Sequence, residues 1–89
     1  LVPSLNMTTG SVVQVIGPVI DVEFNADALP EIYNALRIDT TAPDGTPIKV
    51  TAEVQQHIGR NQVRAVAMSS TDAVVRGMAV TDTGAPIQV

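Results

Sequence analysis

With 89 residues the chain has room for one small domain, so any active site has to be built on a single core. Its apolar residues, 45% of the total, are mostly Val, Ile and Ala, and Phe24 and Tyr33 are the only aromatics, a balance that favours strands over helices. The absence of cysteine excludes disulfide stapling, cysteine-held zinc and thiol catalysis; the net charge of -4 repels polyanions such as nucleic acid; and no apolar run approaches the roughly 20 residues of a bilayer-spanning helix.

The first residues, Leu1 to Asn6, read LVPSLN, without charge or repeat, and a natural-looking start follows at Met7. They are read as an expression-derived leader, leaving residues 7–89 as the domain, and no secretory signal is expected. From Ser11 to Phe24 the chain reads as strand, break, strand: Val13 and Val15 alternate with Gln14, Gly17 and Pro18 interrupt, and Ile20, Val22 and Phe24 alternate with Asp21 and Glu23. Pro30 interrupts the segment NADALPEIYNALRID, which predicts a loop with a short turn and then a strand near Ala35 to Asp39. In TAPDGTP the Asp44-Gly45 pair predicts a hairpin whose two central residues both take positive φ.

The clearest alternation follows, with Ile48, Val50, Ala52, Val54 and Ile58 on one parity and Lys49, Thr51, Glu53, Gln55 and His57 on the other. Gln56 breaks the apolar face, so the strand is expected to bend or to reach a rim there. Gly59, Arg60 and Asn61 turn the chain into a fifth strand, Gln62 to Met68. SSTDAVVRG is a polar connection, and the sixth strand spans Met78 to Asp82, followed by turn residues Gly84 and Pro86 and an extended tail. Six short strands with closely spaced turns predict an all-β fold, either a small closed barrel or a sandwich.

Asp21 and Glu23 share a strand face about 7 Å apart, the arrangement of an acid–base pair, but alternation alone predicts a solvated face there. His57, the only histidine, falls on the polar face with Glu53 as its sole nearby partner, too few ligands for a metal. Ser69, Ser70, Thr71 and Asp72 lack the orienting base a nucleophile needs and read as a loop whose side chains bond their own backbone. The glycines at 10, 17, 45, 59, 77 and 84 are isolated and the only lysine, Lys49, lies on a strand, so no phosphate-cradling loop is present in the sequence. Arg60, Arg64 and Arg76 read as scattered surface charges rather than a basic patch. No catalytic, cofactor-binding or metal-ligating residue is therefore assigned.

The segments IGPVIDVEF, LPEIYNAL, EVQQH, TD-x-x-VRGM and DTGAPI, in this order and spacing from Gly10 to Val89, closely resemble the opening of ATP synthase β subunits. Ser69 stands where that family often has an acidic residue, Ala73 stands where it has glycine, and the segment around Thr40 to Thr46 varies in length. The resemblance implies a closed six-stranded β-barrel, the N-terminal domain of the subunit in a bacterial enzyme. Such barrels alternate with those of α subunits in a ring, at the far end of a membrane-peripheral head on the cytoplasmic side of the inner membrane. It also implies that the Mg-ATP/ADP site of the parent enzyme, which makes ATP from a proton gradient, lies downstream of Val89. This segment then carries no cofactor and no catalysis of its own, meets α-subunit barrels, self-associates weakly, and neither enters a membrane nor binds nucleic acid. Competing readings are an excised or engineered stand-alone barrel and a small ligand-binding barrel; the latter usually offers stacking aromatics in a positive groove, which two aromatics at a net charge of -4 do not supply.

Overall fold

The alternation of β-branched and polar residues folds into strands throughout. A computed structural model describes residues 8–59 and 61–87 and contains β1 (Thr8–Ile16), β2 (Val19–Glu23), a 3-10 turn (Ala26–Ala28), β3 (Asn34–Thr41), β4 (Pro47–Ile58), β5 (Gln62–Ala67) and β6 (Ala79–Pro86). The strands close into a barrel in the order β1-β2-β5-β4-β3-β6, with every neighbouring pair antiparallel. Of the two architectures the alternation allowed, the closed barrel is the one formed. Closure gives each strand two partners and removes the free edges at which open sheets pair with other chains.

Inward positions from all six strands make one core. Ile20, Val22, Leu36, Ile38, Val54, Val63 and Val80 are fully buried, and Val12, Phe24, Val50, Ala52 and Ala65 pack with them. Burying a Val, Leu or Ile side chain contributes roughly 1.5–3 kcal/mol, so this set carries most of the drive to fold. The leader, Met7, Arg60 and the last two residues lie outside the described residues.

Two bulges change the parity that simple alternation predicts. In β1 the register with β2 shifts between Val12 and Gln14, leaving Val13 as the extra residue. Val12 is consequently a core residue, and the Val13 carbonyl, freed from the ladder, accepts a 3.0 Å bond from Arg76 Nε. In β4 the register with β5 shifts between Val54 and Gln56, so the break in the apolar face at Gln56 is a bulge at Gln55. Beyond it His57 stands opposite Val63 and Ile58 opposite Gln62, so Ile58 is half-buried and not a core residue.

Element boundaries also differ from the expected ones. β1 begins before Ser11, β3 extends on both sides of Ala35 to Asp39, and β5 stops at Ala67. β6 starts at Ala79 and runs on through Gly84, whose φ of 79° lets the strand kink while Asn34 pairs with Pro86 and Leu36 with Asp82. The β3–β4 connection is not the two-residue turn that Asp44-Gly45 suggests, because only Gly45 has positive φ. Ala42 and Thr46 close a wider loop through Ala42 N to Thr46 O at 2.8 Å, and Asp44 accepts the Thr46 N–H at 3.0 Å. That backbone bond lowers the Asp44 pKa below the usual carboxylate value. The stabilisation is present above the unfolded-state pKa of Asp44 and is lost as pH falls through the folded one.

Candidate functional site

Asp21 departs from the expected solvated face. It is buried, while Glu23 on the same strand is exposed. The register explains this: Asp21 pairs with Gln14 on one side and Arg64 on the other, and both long side chains lie over its carboxylate. Arg64 donates through Nε to Oδ1 at 2.9 Å and through Nη2 to Oδ2 at 3.1 Å, and Gln14 Nε2 donates to Oδ2 at 3.1 Å. Strand alternation describes which way a side chain points but not what its cross-strand neighbours cover. The hydrogen bond from Arg64, and then the charge of Asp21, raise the guanidinium pKa above its ordinary value. With three donors on its two oxygens, Asp21 clamps β1, β2 and β5 together.

His57 projects at the barrel end, and its Nε2 lies 2.6 Å from the Pro30 carbonyl. A carbonyl only accepts, so the Nε2–H donates, and the ring staples β4 to the loop ahead of β3. Glu53, the one carboxylate expected nearby, instead accepts from Gln55 Nε2 at 2.7 Å. Among the described residues no group of three or more His, Asp or Glu is placed to hold a metal ion.

The hydroxyl-rich loop bonds its own backbone at Ser70, whereas Thr71 reaches a distant segment. Ser70 Oγ accepts the Asp72 N–H at 3.1 Å, and Thr71 Oγ1 donates to the Gly17 carbonyl at 2.6 Å, fastening the loop to the β1–β2 turn. Ala73 does not take positive φ, so its replacement of glycine carries no backbone strain. Arg64 and Arg76 are committed to different strands' carboxylate and carbonyl, and Arg60 lies outside the described residues. Lys49 is exposed on β4 opposite Asp39. An open cleft of about 520 Å³ at one rim, lined by Thr9, Ser11, Glu23, Asn25 and Asn61, brings a single carboxylate among neutral groups and, among the described residues, gathers no cations for a phosphate.

Two features escaped the sequence reading. Asp82 faces inward opposite Leu36, is largely buried, and its Oδ1 accepts the Gly84 N–H at 2.9 Å and the Asn34 Nδ2–H at 3.3 Å. The spacing Asp-Thr-Gly was its available signal, since an aspartate bonds the backbone two residues on. Tyr33 is the other: it has φ of 74°, the only non-glycine residue with positive φ among those described. Nothing in its local sequence announces that conformation.

No helix of the described residues is long and apolar enough to cross a membrane, a statement that does not extend to strands. Of the polar side chains singled out from the sequence, Asp21, His57, Arg64, Ser70, Thr71 and Arg76 are bonded within the barrel, while Glu23 and Lys49 are exposed. A family model described as the ATP synthase alpha/beta family, beta-barrel domain, matches residues 12–84, which takes in all of β2 to β5 and most of β1 and β6. This chain is a β-barrel domain belonging to the ATP synthase alpha/beta family.

Proposed function

We propose that this domain is the N-terminal barrel of an ATP synthase β subunit of bacterial type, an assembly module whose partners are α-subunit barrels. The observation that carries the reading is the run of IGPVIDVEF, LPEIYNAL, EVQQH and DTGAPI laid along a barrel of the matching family. The barrel's own construction supports it, because the buried polar residues Asp21 and Asp82 are spent on holding strands together. A closed barrel has no edge to extend, so neighbours have to be met through side chains. Several large apolar ones stand exposed: Ile16, Met68 and Val75, and, on the turn before β3, Ile32 and Tyr33. The head to which such a barrel belongs is peripheral to the inner membrane, and the nucleotide chemistry resides elsewhere in the parent subunit.

The segment itself then neither binds nor hydrolyses ATP. Titration calorimetry with Mg-ATP is expected to give only dilution heats, and a saturable one-site isotherm at micromolar affinity is the result that refutes it. For the partner, sedimentation across a concentration series is expected to show weak self-association and a preferred complex when the matching α-subunit barrel is added. A species that stays monomeric at hundreds of micromolar and ignores the α barrel refutes the assembly role.

A further inference from the structure

The chain spends conformational energy at Tyr33 without using its side chain for folding. Glu31 to Asn34 form a β-turn closed by Asn34 N to Glu31 O at 3.0 Å, and Tyr33 occupies its third position with φ of 74°. Positive φ at that position suits glycine or asparagine and is costly for a bulky aromatic. The turn is held in place from three sides. Tyr33 N donates to Val54 O at 2.7 Å, Pro30 is fully buried, and His57 bonds the Pro30 carbonyl at 2.6 Å. Yet the Tyr33 side chain is 60% exposed and that of its neighbour Ile32 38% exposed. A strained residue that a rigid frame maintains, and whose side chain the domain leaves in water, has its use outside the chain.

We infer that Tyr33, with Ile32, is a preorganised anchor by which this barrel grips an adjacent, non-identical subunit of the assembly. The inference rests on the assembly reading above and adds the residue and the kind of partner. Tyrosine fits the task, since it offers a large apolar contact and a hydroxyl with little side-chain entropy to lose. Charge selects the partner. Glu31 is exposed in the same turn as the anchor, the segment from Asn25 to Leu36 contains no Lys or Arg, and the chain carries a net charge of -4. Two copies meeting through this same patch would set Glu31 against Glu31. The socket that fits is an apolar depression rimmed by Lys or Arg on a different chain.

The test exploits opposite signs. Tyr33→Gly removes the backbone strain and the anchor together, so the melting temperature of the 89-residue chain stays level or rises, while its affinity for the matching α-subunit barrel falls at least about tenfold. Tyr33→Phe keeps the ring and is expected to hold affinity within about threefold. Unchanged affinity in Tyr33→Gly, with wild type binding normally, overturns the anchor and leaves the assembly reading standing. Failure of the wild-type chain to bind the α barrel overturns both. Loss of self-association in Tyr33→Gly, with α-barrel binding intact, assigns the anchor to a second copy and overturns the heteromeric partner.

Discussion

Val54→Asp is expected to unfold the domain at room temperature. Val54 is completely buried on β4, opposite Ala65 and one residue before the bulge, and among the described residues no buried cation lies in the core. An unpaired carboxylate there costs on the order of 4 kcal/mol or more, comparable with the roughly 3–5 kcal/mol that a core of this size leaves over. Circular dichroism should show loss of the strand signal or, in stabilising salt, a transition shifted down by tens of degrees. Gln55→Lys and Gln56→Lys serve as controls, since the bulge leaves Gln55, Gln56 and His57 exposed in succession. Each is expected to change stability by no more than about 0.5 kcal/mol. A strictly alternating strand would bury one of the two glutamines, so a large loss at Gln56 refutes the bulge, and equal melting of Val54→Asp and Gln55→Lys refutes the register.

The same strand shows how far the sequence reaches. From Ile48 to Val54 the period of two is legible because burial and pleat are the same event: each inward position is apolar and each outward one polar. The pattern ends at Gln56, and the break itself could be located, but not the reversal of parity beyond it that sets His57 opposite Val63. Bulges insert a residue without marking it, and Val13 and Gln55 are ordinary strand residues. Asp21 illustrates a second limit. Its outward parity was correct, and its burial depends on Gln14 and Arg64, which reach it only through the strand order of the closed barrel. The candidate sites followed a similar division. Local hydroxyl-to-backbone bonds at Ser70 could be anticipated from composition, whereas the bonds of Thr71 to Gly17 and His57 to Pro30 join segments far apart in sequence. Tyr33 lay beyond reach altogether, because its turn is imposed by the frame around it against the preference of the residue.

Gly10→Ala should destabilise the barrel although the change adds a single methyl. Gly10 lies on β1 opposite Val80, where the buried ring of Phe24 folds across the strand. A Cβ built at Gly10 would stand 2.9 Å from two carbons of that ring and would press closer still on the Glu23 carbonyl oxygen. The ring could turn aside, but the carbonyl belongs to the end of β2 and can retreat only by bending the β1–β2 ladder. Glycine is therefore required at this position by space, not by φ, which distinguishes it from Gly45, where φ of 92° is the constraint and nothing lies within 4 Å. Overpacking of this kind costs roughly 1–3 kcal/mol, which in a domain of this size lowers the melting temperature by about 5–20 °C. Ser11→Ala, one residue on, should move it by no more than the equivalent of about 0.5 kcal/mol. The double variant Gly10→Ala with Phe24→Leu separates the two obstacles: trimming the ring is expected to recover none of the loss, because the carbonyl contact persists. Full recovery would show that the ring alone excludes the methyl and that the ladder end yields more readily than its hydrogen bonds imply.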